Sequence, residues 1–298
     1  MSAPKLEKSR SGNKMMKRFI SGLVVALGLA GAGNAAAQEI LITGPLAGAP
    51  AVRKERLYRQ GRFEIAPTVA FTLLDEYRRT MFAGARIQYN FTEWLSFGVF
   101  AAYGVWNPQT DLTTQIDSNA PRNEFTYSQV NRNGSFADQT AKLNWMLNPQ
   151  FQFTPFRGKL ALFQKVFVDT DAYLHVGVGF VGLQERAPCG AAGQPGCADP
   201  NSYPISGGTP LTSKVEIAPT FGLGLNFYLT DFMSLGIEYR AFPFLDGWNR
   251  AGFDTRGGGN NGKAPDGKID GKDDTFAFNQ MVGISLGFSL PAKPKISE

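Results

Sequence analysis

Histidine is almost missing from this sequence: His175 stands alone in 298 residues, with only two cysteines, Cys189 and Cys197. Zinc sites draw about four ligands mainly from these two residue types. No metal centre is therefore expected, and no other cofactor is called for. Long apolar runs are missing as well. After residue 37 no stretch approaches the roughly 20 residues a membrane helix needs, although 43% of the chain is hydrophobic. The chain beyond that point either folds in water or crosses a membrane as strands. Charge is sparse at 18% of residues, and its basic excess is local.

That excess sits at the start. Lys14-Met15-Met16-Lys17-Arg18 precedes the apolar run Phe19 to Ala32, and Asn34-Ala35-Ala36-Ala37 follows. A basic head, a short apolar segment and an Ala-x-Ala site mark a secretory signal peptide cut after Ala37; an uncleaved anchor is the alternative. No cysteine lies near the cut to carry a lipid. Removing the six basic residues and one acidic residue of this segment from totals of 30 and 25 leaves 24 of each. A near-neutral exported chain gives no footprint for nucleic acid. Export also favours oxidised thiols, so Cys189 and Cys197 are expected to form a local disulfide.

From Arg62 onward the sequence alternates with the period of two that sends side chains to opposite faces of a strand. Phe63, Ile65, Val69, Phe71 and Leu73 share one face, and Glu64, Ala66, Thr68, Ala70 and Thr72 the other. Pro67 predicts a bulge. Similar segments run from Met81, from Leu95, from Leu143 (Trp145, Leu147, Phe151 and Phe153 against Lys142, Asn144, Asn148, Gln150 and Gln152), and from Asp171, Val215, Met233 and Phe276. The segment Thr154-Pro155-Phe156-Arg157-Gly158-Lys159 reads as a strand break, and Leu160 to Val168 as a short helix or the start of the next strand. Polar stretches, Asn107 to Thr140 and Pro243 to Asp274, read as long loops. Two tight turns match in sequence, Tyr89-Asn-Phe-Thr-Glu-Trp-Leu-Ser-Phe-Gly98 and Phe227-Tyr-Leu-Thr-Asp-Phe-Met-Ser-Leu-Gly236.

One face of each segment is small and polar, and the other is nearly free of charge. Small residues suit a narrow lumen; an uncharged face suits hydrocarbon, where a midplane Lys or Arg costs about 2 to 4 kcal/mol. A soluble barrel reverses this, with large apolar residues inside. Aromatics gather near strand ends, at Phe91, Trp94, Tyr103, Trp106, Trp145, Phe153, Tyr239 and Phe242, as interfacial girdles require. The expected fold is all-β: a closed antiparallel transmembrane β-barrel of about eight strands, with short periplasmic turns and long extracellular loops. The expected organisation is signal peptide 1–37, periplasmic segment 38–61, outer-membrane barrel 62–290 and periplasmic tail 291–298.

Gly61-Arg62-Phe63-Glu64-Ile65-Ala66-Pro67, Tyr89-Asn90 with Trp94-Leu95, Pro155-Phe156-Arg157-Gly158-Lys159, Asp171-Ala172-Tyr173-Leu174 and Gly177-Val178-Gly179 resemble the myxobacterial-type outer membrane beta-barrel domain family. The resemblance covers Arg53 to Leu290. It implies an outer-membrane barrel, and it links some relatives to envelope-spanning surface machinery. Gly283, Leu286 and Phe288 look like the terminal signal read by the barrel-insertion machinery.

Glu64, Arg86, Lys142, Asp171, His175, Glu216, Glu238 and Arg240 fall on the lumen face. Eight strands enclose an interior that side chains just fill, so these groups are expected to neutralise one another as a plug; an ion path is the alternative. His175 has Tyr173 and Gly177 as its same-face neighbours and no serine beside it, so a lipid-modifying enzyme with a nucleophile–base pair is disfavoured. Asp266-Gly-Lys-Ile-Asp270-Gly-Lys-Asp273-Asp274 partly resembles a calcium loop, but Lys268 takes a ligand position and no Glu closes it, which leaves a solvated flexible loop. The leading expectation is a non-enzymatic envelope anchor or scaffold with surface-exposed loops, and the runner-up is a small channel. The partners expected are outer-membrane lipid and lipopolysaccharide, the insertion machinery, and an envelope or surface protein.

Overall fold

The computed structural model describes residues 59–123, 130–131, 134–162, 166–188, 211–259 and 261–291. Side chains of 123, 131, 159–162 and 166–167 are outside that description. The expected signal peptide, most of 38–61, the tail beyond Pro291, and Cys189 and Cys197 with their expected disulfide lie outside the described residues.

Eight strands form the barrel: β1 (Phe63–Leu73), β2 (Met81–Asn90), β3 (Leu95–Trp106), β4 (Lys142–Leu162), β5 (Val166–Arg186), β6 (Leu211–Tyr228), β7 (Met233–Trp248) and β8 (Thr275–Leu290). Each pairs antiparallel with its sequence neighbours, and β8 returns to β1 through a ladder from Phe63 opposite Leu290 to Leu73 opposite Gln280. The sheet thus closes in an all-next-neighbour order. Closure removes the open edges that a sheet would otherwise present.

The two-residue period governs burial. On β6, Glu216, Ala218, Thr220 and Asn226 are buried while Val215, Ile217, Phe221 and Leu223 are exposed, Ile217 to 60%. Every strand presents large apolar side chains outward, among them Phe71, Ile87, Val99, Leu147, Val176, Ile237 and Ile284. A belt of this extent far exceeds the apolar patches that soluble monomers expose.

The interior departs from the small-and-polar expectation in its half toward the long loops. There Phe82, Phe100, Leu143, Met146, Val181, Leu183, Phe242, Phe244, Trp248 and Met281 pack into one buried cluster. Phe242 is fully buried in it rather than forming part of an outer girdle. Its ring meets Phe244 at 6.0 Å, and Phe244 meets Trp248 edge-on at 5.4 Å.

Two bulges in β4 explain where the strand reading slipped. Leu143 faces Leu183, but Trp145 faces Gly182, so Asn144 is an extra residue. The shift turns Leu143 inward, against the expectation, and leaves Lys142 half-exposed rather than in the lumen. A second shift, between Phe153 and Phe156, falls at Thr154-Pro155. Proline has no N–H for the ladder, and a bulge accommodates it. The strand therefore continues to Leu162, and Leu160 and Val168 face each other in a hairpin; a helix does not form there. Pro67 produces no shift: the β1–β8 ladder resumes at Thr68 in the register it had at Ile65. Strand β7 extends to Trp248, which shortens the last long loop to Asn249–Asp274.

Candidate functional site

Below the apolar cluster lies a layer of buried charge. Arg86 reaches it from β2, Glu64 from β1, Tyr173 and His175 from β5, and Glu238 and Arg240 from β7, each on an inward parity. Glu238 is the hub. It receives Arg86 Nη1 at 2.8 Å, Arg240 Nη2 at 2.6 Å and Nε at 3.1 Å, and the Tyr173 hydroxyl at 3.0 Å. Arg86 also donates to the Tyr173 hydroxyl at 2.7 Å and to Glu64 at 3.1 Å, and Gln88 donates to the other Glu64 oxygen.

Arg240 is fully buried and well supplied. Its guanidinium lies 4.5 Å over the Phe100 ring, and Asn148, with its amide turned to satisfy both ends, accepts from Nη1 at 3.2 Å. Two arginines thus balance two glutamates. His175 sits at 3.6 Å from Glu238 with its Nε2 against the backbone of Gly222. Buried charges are tolerable only when paired and hydrogen-bonded; here each guanidinium meets a carboxylate, while Arg86 Nε and both His175 nitrogens make no aligned hydrogen bond.

Neighbouring glycines make the room. A Cβ on Gly224 would lie 2.3 Å from Tyr173 Cζ, and one on Gly222 would lie 2.5 Å from His175 Nε2. Tyr173 and His175 stand directly opposite those glycines in the ladder.

The other expected lumen charges divide between the ends. At the short-turn rim Asp171 pairs with Arg59 at 2.7 Å, an ion pair by distance in which that nitrogen makes no aligned hydrogen bond, and with Arg157 at 3.6 Å. Arg157 also bonds Glu93 at 2.6 Å. Burial alone would raise the Glu93 pKa. Donation from the Gln60 and Arg59 backbone and from Arg157 outweighs it and holds the carboxyl below its ordinary value. At the opposite rim Glu216 pairs with Lys214 at 2.7 Å, and Lys214 also reaches Asp274 at 2.9 Å. Lys142 joins neither group. Arg59 and Lys214, both outside the expected set, turn out to anchor the two ends.

Above the apolar cluster the described parts of the long loops form an ordered cap. Helix α1 (Asp111–Asn119) starts at Thr110, whose hydroxyl accepts the Thr113 amide, and α2 (Phe136–Gln139) starts at a reciprocal Ser135–Asp138 capping box. Phe136 is fully buried between Tyr77, edge-on at 5.3 Å, and Phe253, stacked at 5.6 Å. Arg78 donates to Thr140 Oγ1 at 2.7 Å and also to Ala137 O; Gln139 donates to Ala251 O, and Arg186 to Gly252 O. Three loops are thus stitched together over the barrel mouth.

The Asp-rich segment is solvated as expected, with Gly267, Lys268, Gly271 and Lys272 exposed, but it is internally hydrogen-bonded. Asp254 accepts the amides of Asp266 and Gly267, Asp273 accepts those of Thr255 and Arg256, and Asp270 with Asp273 caps the 3-10 turn Gly271–Asp273. Carboxylates engaged with backbone N–H groups are poor candidates for calcium ligands. Among the described residues no group of three acidic, His or Cys side chains is disposed to hold a metal.

Phe91, Trp94 and Phe153 are exposed near the short-turn rim, with Trp94 edge-on to Phe153 at 5.6 Å, and Tyr103, Trp106 and Trp145 are exposed toward the long-loop rim. Tyr239 belongs to neither ring. It lies well inside β7, half-buried, and its hydroxyl donates to Gln280 Oε1 at 2.6 Å. That bond gives Gln280, the one amide on the apolar face of β8, its partner.

No protein-family model matches the chain, and no curated protein matches it. Among solved structures it is similar to the N-terminal β-barrel domain of Pseudomonas aeruginosa OprF, at 9% identity and a TM-score of 0.39, over 78% of this chain and 98% of that one. It is similar also to Neisserial surface protein A, at 10% identity and a TM-score of 0.34, over 76% of this chain and 93% of that one. A third is the outer membrane protein OprG of Pseudomonas aeruginosa, at 9% identity and a TM-score of 0.34, over 78% and 97%. The closed ladder by itself defines the fold: an eight-strand antiparallel barrel.

Proposed function

We propose that this chain is a non-enzymatic outer-membrane protein, a sealed anchor that holds an ordered loop cap at the cell surface. The observation that carries the reading is the filled lumen. Phe82, Phe100, Phe242, Phe244, Met146 and Met281 are all at most 2% exposed, stacked on a charge layer whose members bind one another. An interior of this kind gives rigidity rather than passage. The exposed apolar belt on all eight strands supports insertion in lipid and contact with lipopolysaccharide, reached by export and the barrel-insertion machinery. The short-turn rim, which carries both barrel termini, then faces the periplasm and the cap faces outward. His175, buried against Glu238 inside the barrel, is out of reach of a lipid in the outer leaflet, which supports a role without catalysis. The same reading sets the chain beside the myxobacterial-type barrels that its strand and turn motifs resemble, with an envelope or surface protein as the partner of the cap.

Envelope fractionation tests the placement, and cap variants test the role. The mature chain should stay with the outer membrane, and its gel mobility should change on heating. Shortening the exposed turn between Gly257 and Asp266 should preserve both properties and weaken capture of a surface partner. Recovery of the mature chain from a detergent-free soluble extract sinks the placement. Undiminished surface association after shortening both this turn and helix α1 sinks the anchoring role.

A further inference from the structure

Between the charge layer and the short-turn rim the lumen is lined by neutral amides. Gln88 enters it from β2, Gln150 and Gln152 from β4, and Asn226 from β6, each at most 2% exposed. Gln88 and Asn226 lie two residues from the short-turn ends of their strands, and Gln152 stands opposite Ser96, the second residue of β3. Ser96 and Ser234 are buried on the same inner face.

These amides are short of partners. Gln88 Nε2 donates to Glu64, but Gln88 Oε1, Gln150 Oε1, both ends of Gln152 and both ends of Asn226 have no hydrogen bond within the protein. Exchanging oxygen and nitrogen on Gln152 or Asn226 brings no relief, since both ends are free. The ladder gives the reason. Gln88 and Gln150 flank Gly98, Gly177 stands on the other side of Gln150, and Gly236 stands beside Asn226. Where a same-face neighbour would offer a polar group, these positions offer bare backbone, and the next side chain in the row is two strand spacings away, roughly 9 to 10 Å. A buried donor or acceptor without a partner is costly, and six such atoms would cost much of a domain's stability. Buried polar groups without protein partners are satisfied by ordered water or a polar ligand.

The molecule that suits them is neutral. The charges nearby are already paired, Arg86 with Glu64 and Glu238, and Arg59 with Asp171. An ion entering here would exchange its hydration for amide dipoles alone, whereas a hydroxyl group accepts from one amide and donates to the next. The way in lies at the short-turn rim, because the bonded charge layer and the apolar cluster close the lumen above. There the Arg59 side chain is buried against Asp171 at 2.7 Å, its guanidinium 5.9 Å over the Tyr228 ring. Arg59 precedes β1 and belongs to no strand, so its side chain can swing away without breaking a ladder.

We infer that this amide-lined stretch is a binding chamber for neutral hydroxyl-bearing molecules, water or a small polyol, entered past Arg59. That the entrance faces the periplasm rests on the placement proposed above; the chamber does not.

Thiol labelling of purified protein in detergent tests it apart from that placement. In a chain carrying Cys189→Ser and Cys197→Ser, the single variants are Gln152→Cys and Asn226→Cys in the chamber, Met281→Cys in the apolar cluster and Lys268→Cys on an exposed turn, with iodoacetamide as the neutral reagent. The chamber cysteines should label at least about tenfold faster than Met281→Cys, and adding Arg59→Ala should speed them further. Erythritol that slows them relative to Lys268→Cys identifies a polyol as the occupant; unchanged rates identify water. Chamber cysteines as inert as Met281→Cys, in chains whose mobility still shifts on heating, overturn the inference, and rates indifferent to Arg59→Ala overturn the entrance. A second measurement needs no cysteine. Gln150→Leu should lower the urea midpoint, since it removes an oxygen bound to the chamber's contents; an unchanged or raised midpoint means that the amide was dry, and the chamber falls.

Discussion

Glu238 ties the charge layer together, because two guanidiniums and a phenol converge on one largely buried carboxylate. Removing one partner of a buried pair leaves the other charge uncompensated, at about 3 to 5 kcal/mol. Glu238→Ala should therefore lower barrel stability by that order in urea unfolding from detergent or lipid, more than any exposed loop charge. Gly224 is its steric counterpart. A methyl group 2.3 Å from the Tyr173 ring has nowhere to go while Arg86 and Glu238 fix the phenol. Gly224→Ala should cost about 1 to 3 kcal/mol as overpacking, measured the same way. Strand parity alone placed Glu64, Arg86, Glu238 and Arg240 on the lumen face, since a charge on the outer face has no tolerable environment. It misassigned Lys142, because parity past Asn144 depends on a bulge that no residue type announces. Arg59 lies ahead of the first alternating segment, where parity says nothing.

At the scale of elements, alternation made the count, order and facing of the eight strands legible, and the matched turns around Thr92 and Thr230 told the two rims apart. What stayed hidden were stretches where the pattern is broken for a reason. In Arg240-Ala-Phe-Pro-Phe244 every residue is buried, so the alternation lapses there. Farther along, Gly247 at φ +75° permits a register slip against Thr275 that returns Trp248 to the interior. The helices of the cap are short and weakly patterned; Thr110 and Ser135, as capping residues, were the only local signals of them. Their junction carries a pH dependence. Asp117 accepts the Phe136 amide at 2.8 Å, the Ser135 hydroxyl at 2.9 Å and Arg122 at 2.7 Å. The Phe136 amide first, then the hydroxyl and the guanidinium, hold its carboxyl below the ordinary aspartate value. A lowered folded-state pKa means stability that is fully present above about pH 4, the unfolded value, and is lost as pH falls through the folded one. Amides of Phe136–Gln139 should exchange faster, relative to the intrinsic rate, on acidification below that point. Asp117→Asn should remove the step.

For the molecule as a whole, the decisive property is what fills the barrel. Eight strands leave an interior that side chains can occupy completely, and here they occupy it in two layers with different chemistry. The charge layer alone would admit ions only if its pairs exchanged partners. Above it, an ion would have to cross the Phe82, Phe100, Phe242, Phe244 cluster, whose rings cannot replace its hydration shell, and then pass a cap laced by Arg78, Gln139 and Arg186. The cost of stripping an unpaired charge of water, several kcal/mol even after relaxation, makes that crossing rare. Purified chain in planar bilayers should therefore show no stepwise conductance, while its gel mobility still shifts on heating. Breaking the charge layer alone, with Arg240→Gln, should leave the bilayer silent, because the apolar layer remains. Steps that appear in the unaltered chain and vanish with Arg86→Gln or Glu238→Gln would make the lumen a conduit, and the chain a small channel.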